Sequence, residues 1–259
     1  MNDGRGFYRI FIRGIGFLEL AFFVAVNKYV ETRKPLWIPI FVGLFTLIVF
    51  HLTRQYIIFA FLVAVGYLLK TTRLWIWLCI VAVFLVFIPN KSKLEPDKDT
   101  IIGTLYYLTE SQIEDQQSGN TNTRLEEYVF YFTEYSKNFF TNLFGNGFPR
   151  KESALGVEEA LQRQLKGLFW EDVGYAAIFI RIGLTGLILF CYIFYRIATK
   201  QVSVNYMYAK LFMIYFIFIN IGSSKVFYSI IEMCVCLYIL EYDKLNRENL
   251  NKALNLNDG

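Results

Sequence analysis

Six ionisable residues in this chain stand where ordinary solvated charges do not. Arg54 sits in Thr53-Arg54-Gln55, between two apolar runs that leave almost no loop. It reads either as an arginine snorkelling its head to a polar boundary or as one held there to grip a phosphate. A guanidinium offers a planar, permanently charged fork to phosphate oxygens. Arg124 is followed about twenty residues later by Leu143-Phe144-Gly145-Asn146-Gly147-Phe148. Taken singly, these are a solvated helix residue and a helix stop. Glu171-Asp172 immediately precedes an apolar run that contains Gly183-Leu184-Thr185-Gly186. The carboxylates are either polar residues at a span entrance or a general base for a hydroxyl. The Gly-x-x-Gly spacing also permits close helix packing. Arg181 lies inside the same run, where a charge defaults to a functional hypothesis, with neutralisation by Glu19 or Glu232 as the alternative. His51, the sole histidine, adjoins the Thr-Arg-Gln segment as a satisfied polar residue or a proton-transfer group.

The cysteines do no comparable work. Cys79, Cys191, Cys234 and Cys236 all fall within apolar runs, and Cys234-x-Cys236 lacks the spacer of zinc or redox pairs. Neither a metal site nor a disulfide framework is expected, and no cofactor is implied.

The elements that must position these residues are apolar helices. The 259 residues are 55% hydrophobic and 19% aromatic, with a mean hydropathy of +0.38, which overrides the usual soluble-domain expectation for this length. Seven runs approach the roughly 17–25 residues that cross a bilayer: 14–30, 35–53, 55–70, 74–89, 173–195, 204–222 and 226–242. The first is the weakest, with Glu19 inside it and Arg9 and Arg13 at its start. The expected fold is all-α and polytopic. Residues 1–89 form four spans, 90–172 one large helical loop, 173–243 three spans, and 244–259 a tail.

Charge gives this layout a direction. Residues 90–172 hold 9 Lys/Arg against 14 Asp/Glu, while the remainder holds 17 against 8. With the acidic loop outside, ten basic residues of the short segments face the cytoplasm and five face outward, as the positive-inside rule requires. Arg5, Arg9 and Arg13 fit poorly, so the chain is expected to be the later part of a longer membrane protein. No secretory signal pattern opens it. Inside the loop, helices are expected over 100–117, from about 124 to Gly145 after an N-cap at Asn122 or Thr123, and over 155–166. The aromatic-rich second helix is expected to lie on the bilayer surface or pack against the spans.

The order of the motifs is more specific than any one of them. Thr53-Arg54-Gln55, Arg124, Phe144-Gly145-Asn146-Gly147, Asp172 eleven residues before Gly183-Leu184-Thr185-Gly186: this succession, over roughly residues 40–200, resembles the C-terminal part of the O-antigen polymerase and ligase superfamily of bacterial envelopes. The resemblance implies a multi-pass inner-membrane glycosyltransferase with an extracytoplasmic loop. It would take a glycan from an undecaprenyl-pyrophosphate donor and join it to another glycan or to lipid A core. Arg54 and Arg124 would bind the pyrophosphate, and Asp172, with Glu171 beside it, would serve the acceptor hydroxyl. A histidine often stands at that last position in ligases, so Asp172 points to a polymerase. Members usually carry ten or more spans, against seven here. Implied partners are the lipid-linked oligosaccharide, membrane lipid, and a chain-length regulator or other polysaccharide-assembly proteins; nucleic acid is not among them. The competing expectation is a flippase-like transport protein, with Arg181, Glu19 and Glu232 along a path, or a non-catalytic membrane subunit.

Overall fold

The computed structural model describes residues 14–51, 53–71, 123–136 and 138–257. All regular structure among them is helical: α1 (Ile15–Thr32), α2 (Trp37–Phe50), α3 (Arg54–Thr71), α4 (Thr123–Thr133), α5 (Phe139–Phe144), α6 (Ala154–Lys166), α7 (Gly174–Thr199), α8 (Met207–Ile219) and α9 (Ile230–Asn257), with single 3-10 turns at Trp170–Asp172, Val204–Tyr206 and Lys225–Phe227. The expected span at 74–89, the expected helix at 100–117 and the proposed cap at Asn122 lie outside the described residues.

Two helices, α3 and α7, are long and apolar enough to cross a membrane. The other runs fall short for local reasons. In α1, Glu19, Lys28 and Glu31 dilute the apolar stretch, while α2 and α8 are shorter apolar helices. After the polar boundary at Glu241, α9 continues as a charged helix.

The described residues divide into two compact units that do not follow chain order. The first takes residues 201–215 and 231–259 together with the N-terminal part, and the second takes 115–200 and 216–230. In the first unit α1 packs on α2, α3 and the Val204–Tyr206 turn. Phe23 is fully buried, its ring 5.3 Å from Tyr215 and 6.5 Å from Phe212. A buried polar side chain needs its hydrogen bonds met, and Asn27 meets them by joining three segments. Its amide donates to Val204 O (2.9 Å) and its oxygen accepts from the Tyr67 hydroxyl (2.8 Å). Asp243, also buried, accepts from the Ser203 backbone N–H (3.1 Å) and pairs with Arg247 (3.2 Å).

The second unit is built around α7. Tyr131, Leu168, Val173, Ala176, Phe179 and Ile180 form its core. One helix was expected from about residue 124 to Gly145, and the chain makes two. It leaves the helix after Thr133, and Asn138 is extended before α5 begins. Ser136 in the gap accepts from the Asn146 amide (2.8 Å), a tertiary contact that competes with continued helix. The expected helix at 155–166 forms as α6, capped by Ser153, whose hydroxyl accepts from the Gly156 N–H (3.1 Å).

Candidate functional site

The site grows from a break in α7. Gly183 adopts φ 78°, ψ −175° inside the helix, a conformation essentially reserved for glycine. Backbone groups freed by such a break must find partners, and the residues after α5 supply them. The N–H of Asn146 donates to Ile180 O (2.8 Å), and that of Gly147 donates to Arg181 O (3.0 Å). From the other side the Thr185 hydroxyl donates to Leu143 O (2.8 Å). The two backbones cross so closely that a Cβ on Gly145 would lie 2.4 Å from the Arg181 carbonyl. One on Gly183 would lie 2.3 Å from Leu143 O. The Gly-Asn-Gly segment is therefore more than a helix stop, and Gly183-Leu184-Thr185-Gly186 more than a small-residue packing stripe. Each is the other's docking partner.

Arg181 sits at the crossing. Its side chain is 2% exposed and forms a two-pronged pair with Glu159 of α6 (2.6 and 2.9 Å). It also donates to Gly147 O (3.2 Å), and it lies over the rings of Trp170 (4.6 Å) and Phe148 (5.4 Å). The Tyr135 hydroxyl donates to the same Glu159 carboxylate. Burial and that carboxylate hold Tyr135 well above the ordinary phenol range. The partner of Arg181 is thus Glu159, rather than Glu19 or Glu232. The guanidinium is occupied in structure, which argues for a positioning role.

Asp172, Glu171 and Arg124 come together in this unit. Asp172 ends the 3-10 turn ahead of α7. Burial raises its proton affinity, while Arg124 and Arg163 oppose the shift and Glu171 adds to it. Glu171 is paired with Arg163, and its backbone oxygen accepts from Ser224 N (2.7 Å). Arg163 in turn lies 5.3 Å from the centre of the Phe169 ring. Of the two candidate carboxylates, the one not held in an ion pair by a described residue is Asp172.

No family model, curated protein or solved structure matches this chain. Its site must be read from its own geometry.

That geometry adds Glu127, which sequence reasoning missed. It lies three residues after Arg124 on α4 and is 2% exposed; one carboxylate oxygen accepts from the Phe169 N–H (2.9 Å). The other oxygen is buried without a partner among the described residues. Burial is the main cause that pushes its pKa up to about 7; Asp172 and Glu171 add to the rise, and the Phe169 N–H and Arg124 oppose it. The available signal was the Arg124–Glu127 spacing on one helix face, which resembles any surface pair. Arg124, Glu127, Arg163, Glu171 and Asp172 thus form one electrostatic cluster able to hold a proton near neutral pH.

The remaining candidates belong to the first unit. Arg54 is the first residue of α3 and half-buried. His51 closes α2, with Nδ1 2.8 Å from the Thr53 hydroxyl and its ring stacked on Tyr56; both contacts fit a structural histidine. Among the described residues no three His, Cys, Asp or Glu side chains are grouped to hold a metal ion. Cys191, Cys234 and Cys236 are free thiols. A shallow groove of about 380 Å³ between Leu125, Val129, Phe130 and Leu168 includes none of the candidate residues.

Proposed function

We propose that this chain is a multi-pass inner-membrane glycosyltransferase that polymerises glycan repeat units carried on undecaprenyl pyrophosphate. In this reading about seven spans frame an extracytoplasmic loop. The supporting observation is the gathering of Arg124, Asp172 and Glu127, from segments more than forty residues apart, at the polar end of a membrane-length helix. Large apolar side chains exposed along α3 and α7, among them Ile58, Leu62, Ile188 and Leu189, suit lipid rather than water.

The chemistry asked of the site is limited. An acceptor sugar hydroxyl attacks the anomeric carbon of the donor glycan, the bond to pyrophosphate oxygen breaks, and the lipid pyrophosphate departs. Asp172 takes the hydroxyl proton. Glu127, buried behind it, tunes the proton affinity of the cluster. Arginines stabilise charge on the leaving pyrophosphate without a nucleotide or protein-bound metal. A chain-length regulator or other assembly protein is a fitting partner.

The transport reading gains less support. A broken membrane helix is common where carbonyls coordinate ions, but here the freed carbonyls of Ile180 and Arg181 accept from Asn146 and Gly147. Arg181 is likewise closed off by Glu159. The test is polymer formation in membranes supplied with lipid-linked repeat units. Arg124→Ala and Asp172→Asn, inserted at normal levels, should each abolish polymer and accumulate single units on the outer leaflet. Unchanged polymer length and amount would remove the assignment, and accumulation on the inner leaflet would favour transport.

A further inference from the structure

The segment between α4 and α6 has the composition of a membrane element. Residues 139–148 read FFTNLFGNGF, ten positions without a charge, followed by Arg150 and Lys151. Phe139 and Phe140 are each 73% exposed and Phe144 62%. Three neighbouring phenylalanines so open to water would be an unusual patch on a soluble surface.

Where this segment meets α7 gives the patch a depth. Arg196 marks the polar end of α7. About twenty residues, the length of a bilayer crossing, lead back from there to Ala176. At about 1.5 Å rise per residue, Ile180, before the break at Gly183, then lies roughly 6 Å inside the opposite boundary, and Thr185, after it, lies deeper. Those residues are the ones bonded to Asn146 and Leu143. Ile182, Ile188 and Leu189 are exposed on α7 itself, so the phenylalanines extend an apolar surface already present on the helix.

Irregular backbone at such a depth is tolerated only where protein satisfies it, and over residues 145–147 protein does so. Gly145 N donates to Thr141 O, Asn146 N to Ile180 O, Gly147 N to Arg181 O, and the Asn146 amide to Ser136. Asn142 Oδ1 is the buried polar side-chain atom in this stretch without a partner among the described residues. The long Arg181 side chain reaches back to Trp170 and pairs with Glu159 while staying buried.

We infer that residues 139–148 form a re-entrant element rather than part of an aqueous loop. It is docked into the break of α7, with Phe139, Phe140 and Phe144 against the acyl chains of the leaflet on the Asp172 side. This rests on the membrane assignment proposed above, not on the reaction. The element anchors the catalytic loop in the bilayer and fixes how far Asp172 stands from the lipid surface.

The test uses the full chain with its four cysteines replaced by serine. Single cysteines are placed at Phe140, Phe144, Ile188 and Glu158, labelled with bimane, and reconstituted in phosphatidylcholine nanodiscs. Doxyl-labelled lipid should quench the labels at 140, 144 and 188. Iodide should quench them about tenfold less than the label at the exposed Glu158 position, because ions avoid the hydrocarbon region. Iodide quenching at 140 and 144 with lipid quenching at 188 would overturn the re-entrant assignment alone. Iodide quenching at 188 as well would overturn the membrane assignment with it.

Discussion

Replacing Gly183 by alanine should be among the most damaging single-methyl additions in this protein. The new Cβ would lie 2.3 Å from Leu143 O and 2.5 Å from both Leu143 C and Gly145 N, all backbone atoms. Real Cβ contacts do not fall below 3.0 Å, so α5 or α7 must move by most of an ångström. The φ of 78° with extended ψ adds strain of about 1–3 kcal/mol for a residue with a side chain. The displacement also removes the Asn146–Ile180, Gly147–Arg181 and Thr185–Leu143 hydrogen bonds, each worth about 0.5–1.5 kcal/mol. Together these give a loss of about 3–7 kcal/mol, comparable with a domain's whole stability.

Other glycines calibrate the reasoning. Gly147 also has positive φ, 66°, but a Cβ there meets nothing within 4 Å, so Gly147→Ala carries only the left-handed cost of about 1–2 kcal/mol. Gly66 is helical in α3 and open, so Gly66→Ala should be neutral or stabilising by about 0.5–1 kcal/mol. Equilibrium unfolding in mixed micelles, titrated with SDS and followed by tryptophan fluorescence, orders the three. If Gly183→Ala cost no more than Gly147→Ala, the backbone crossing would not exist as described.

Two further outcomes follow from buried charge. Glu159→Leu leaves the Arg181 guanidinium buried and unpaired, at a cost of about 3–5 kcal/mol. The Arg181→Met/Glu159→Leu double variant should recover most of it, read as coupling in a double-mutant cycle of the same titration. Glu127 binds its proton more tightly folded than unfolded, with a folded value of about 7 against an ordinary 4.5. Protonation therefore favours the fold: the contribution is fully present below about pH 4.5 and lost as pH rises through about 7. The loss should amount to about 2–3 kcal/mol. Unfolding measured from pH 4 to 8 should show that decline in the native protein and a flatter profile in Glu127→Gln.

The parts of this arrangement legible in the sequence are those set by local chemistry. The amphipathic spacing over 155–166 places α6 within a residue, and Thr53-Arg54-Gln55 marks where α3 begins. Gly145 was readable as an end to a helix because breakers act locally. The break at Gly183 was not, since an isolated glycine in an apolar run reads as a packing residue; its partner, Gly145, stands 38 positions away. The gap between α4 and α5 is likewise hidden, because the competing bond comes from Asn146. Glu159 looked like one charge among several on an amphipathic helix. Nothing near it in sequence announces that Arg181 needs it.

The charge balance of the cluster divides the work between the candidate residues. Arg124 and Arg163 stand among Glu127, Glu171 and Asp172, so two positive charges meet three carboxyl groups. The N-terminus of α7 adds about half a positive charge. With Glu127 protonated the cluster is close to neutral, which suits an uncharged sugar hydroxyl better than a pyrophosphate. Arg124, which the resemblance assigns to the donor, also moderates Asp172. Arg54, at the start of α3, keeps the donor role that the resemblance implies. On this division Arg54→Ala should raise the donor KM about tenfold or more, the effect of losing a charged hydrogen bond worth about 1.5–3 kcal/mol. Asp172→Asn should lower kcat by about a hundredfold or more, the usual scale for removing a general base, with donor KM little changed. Initial rates of polymer formation against donor concentration separate the two. A KM effect from Asp172→Asn with none from Arg54→Ala would place the pyrophosphate in the carboxylate cluster and reverse the assignment.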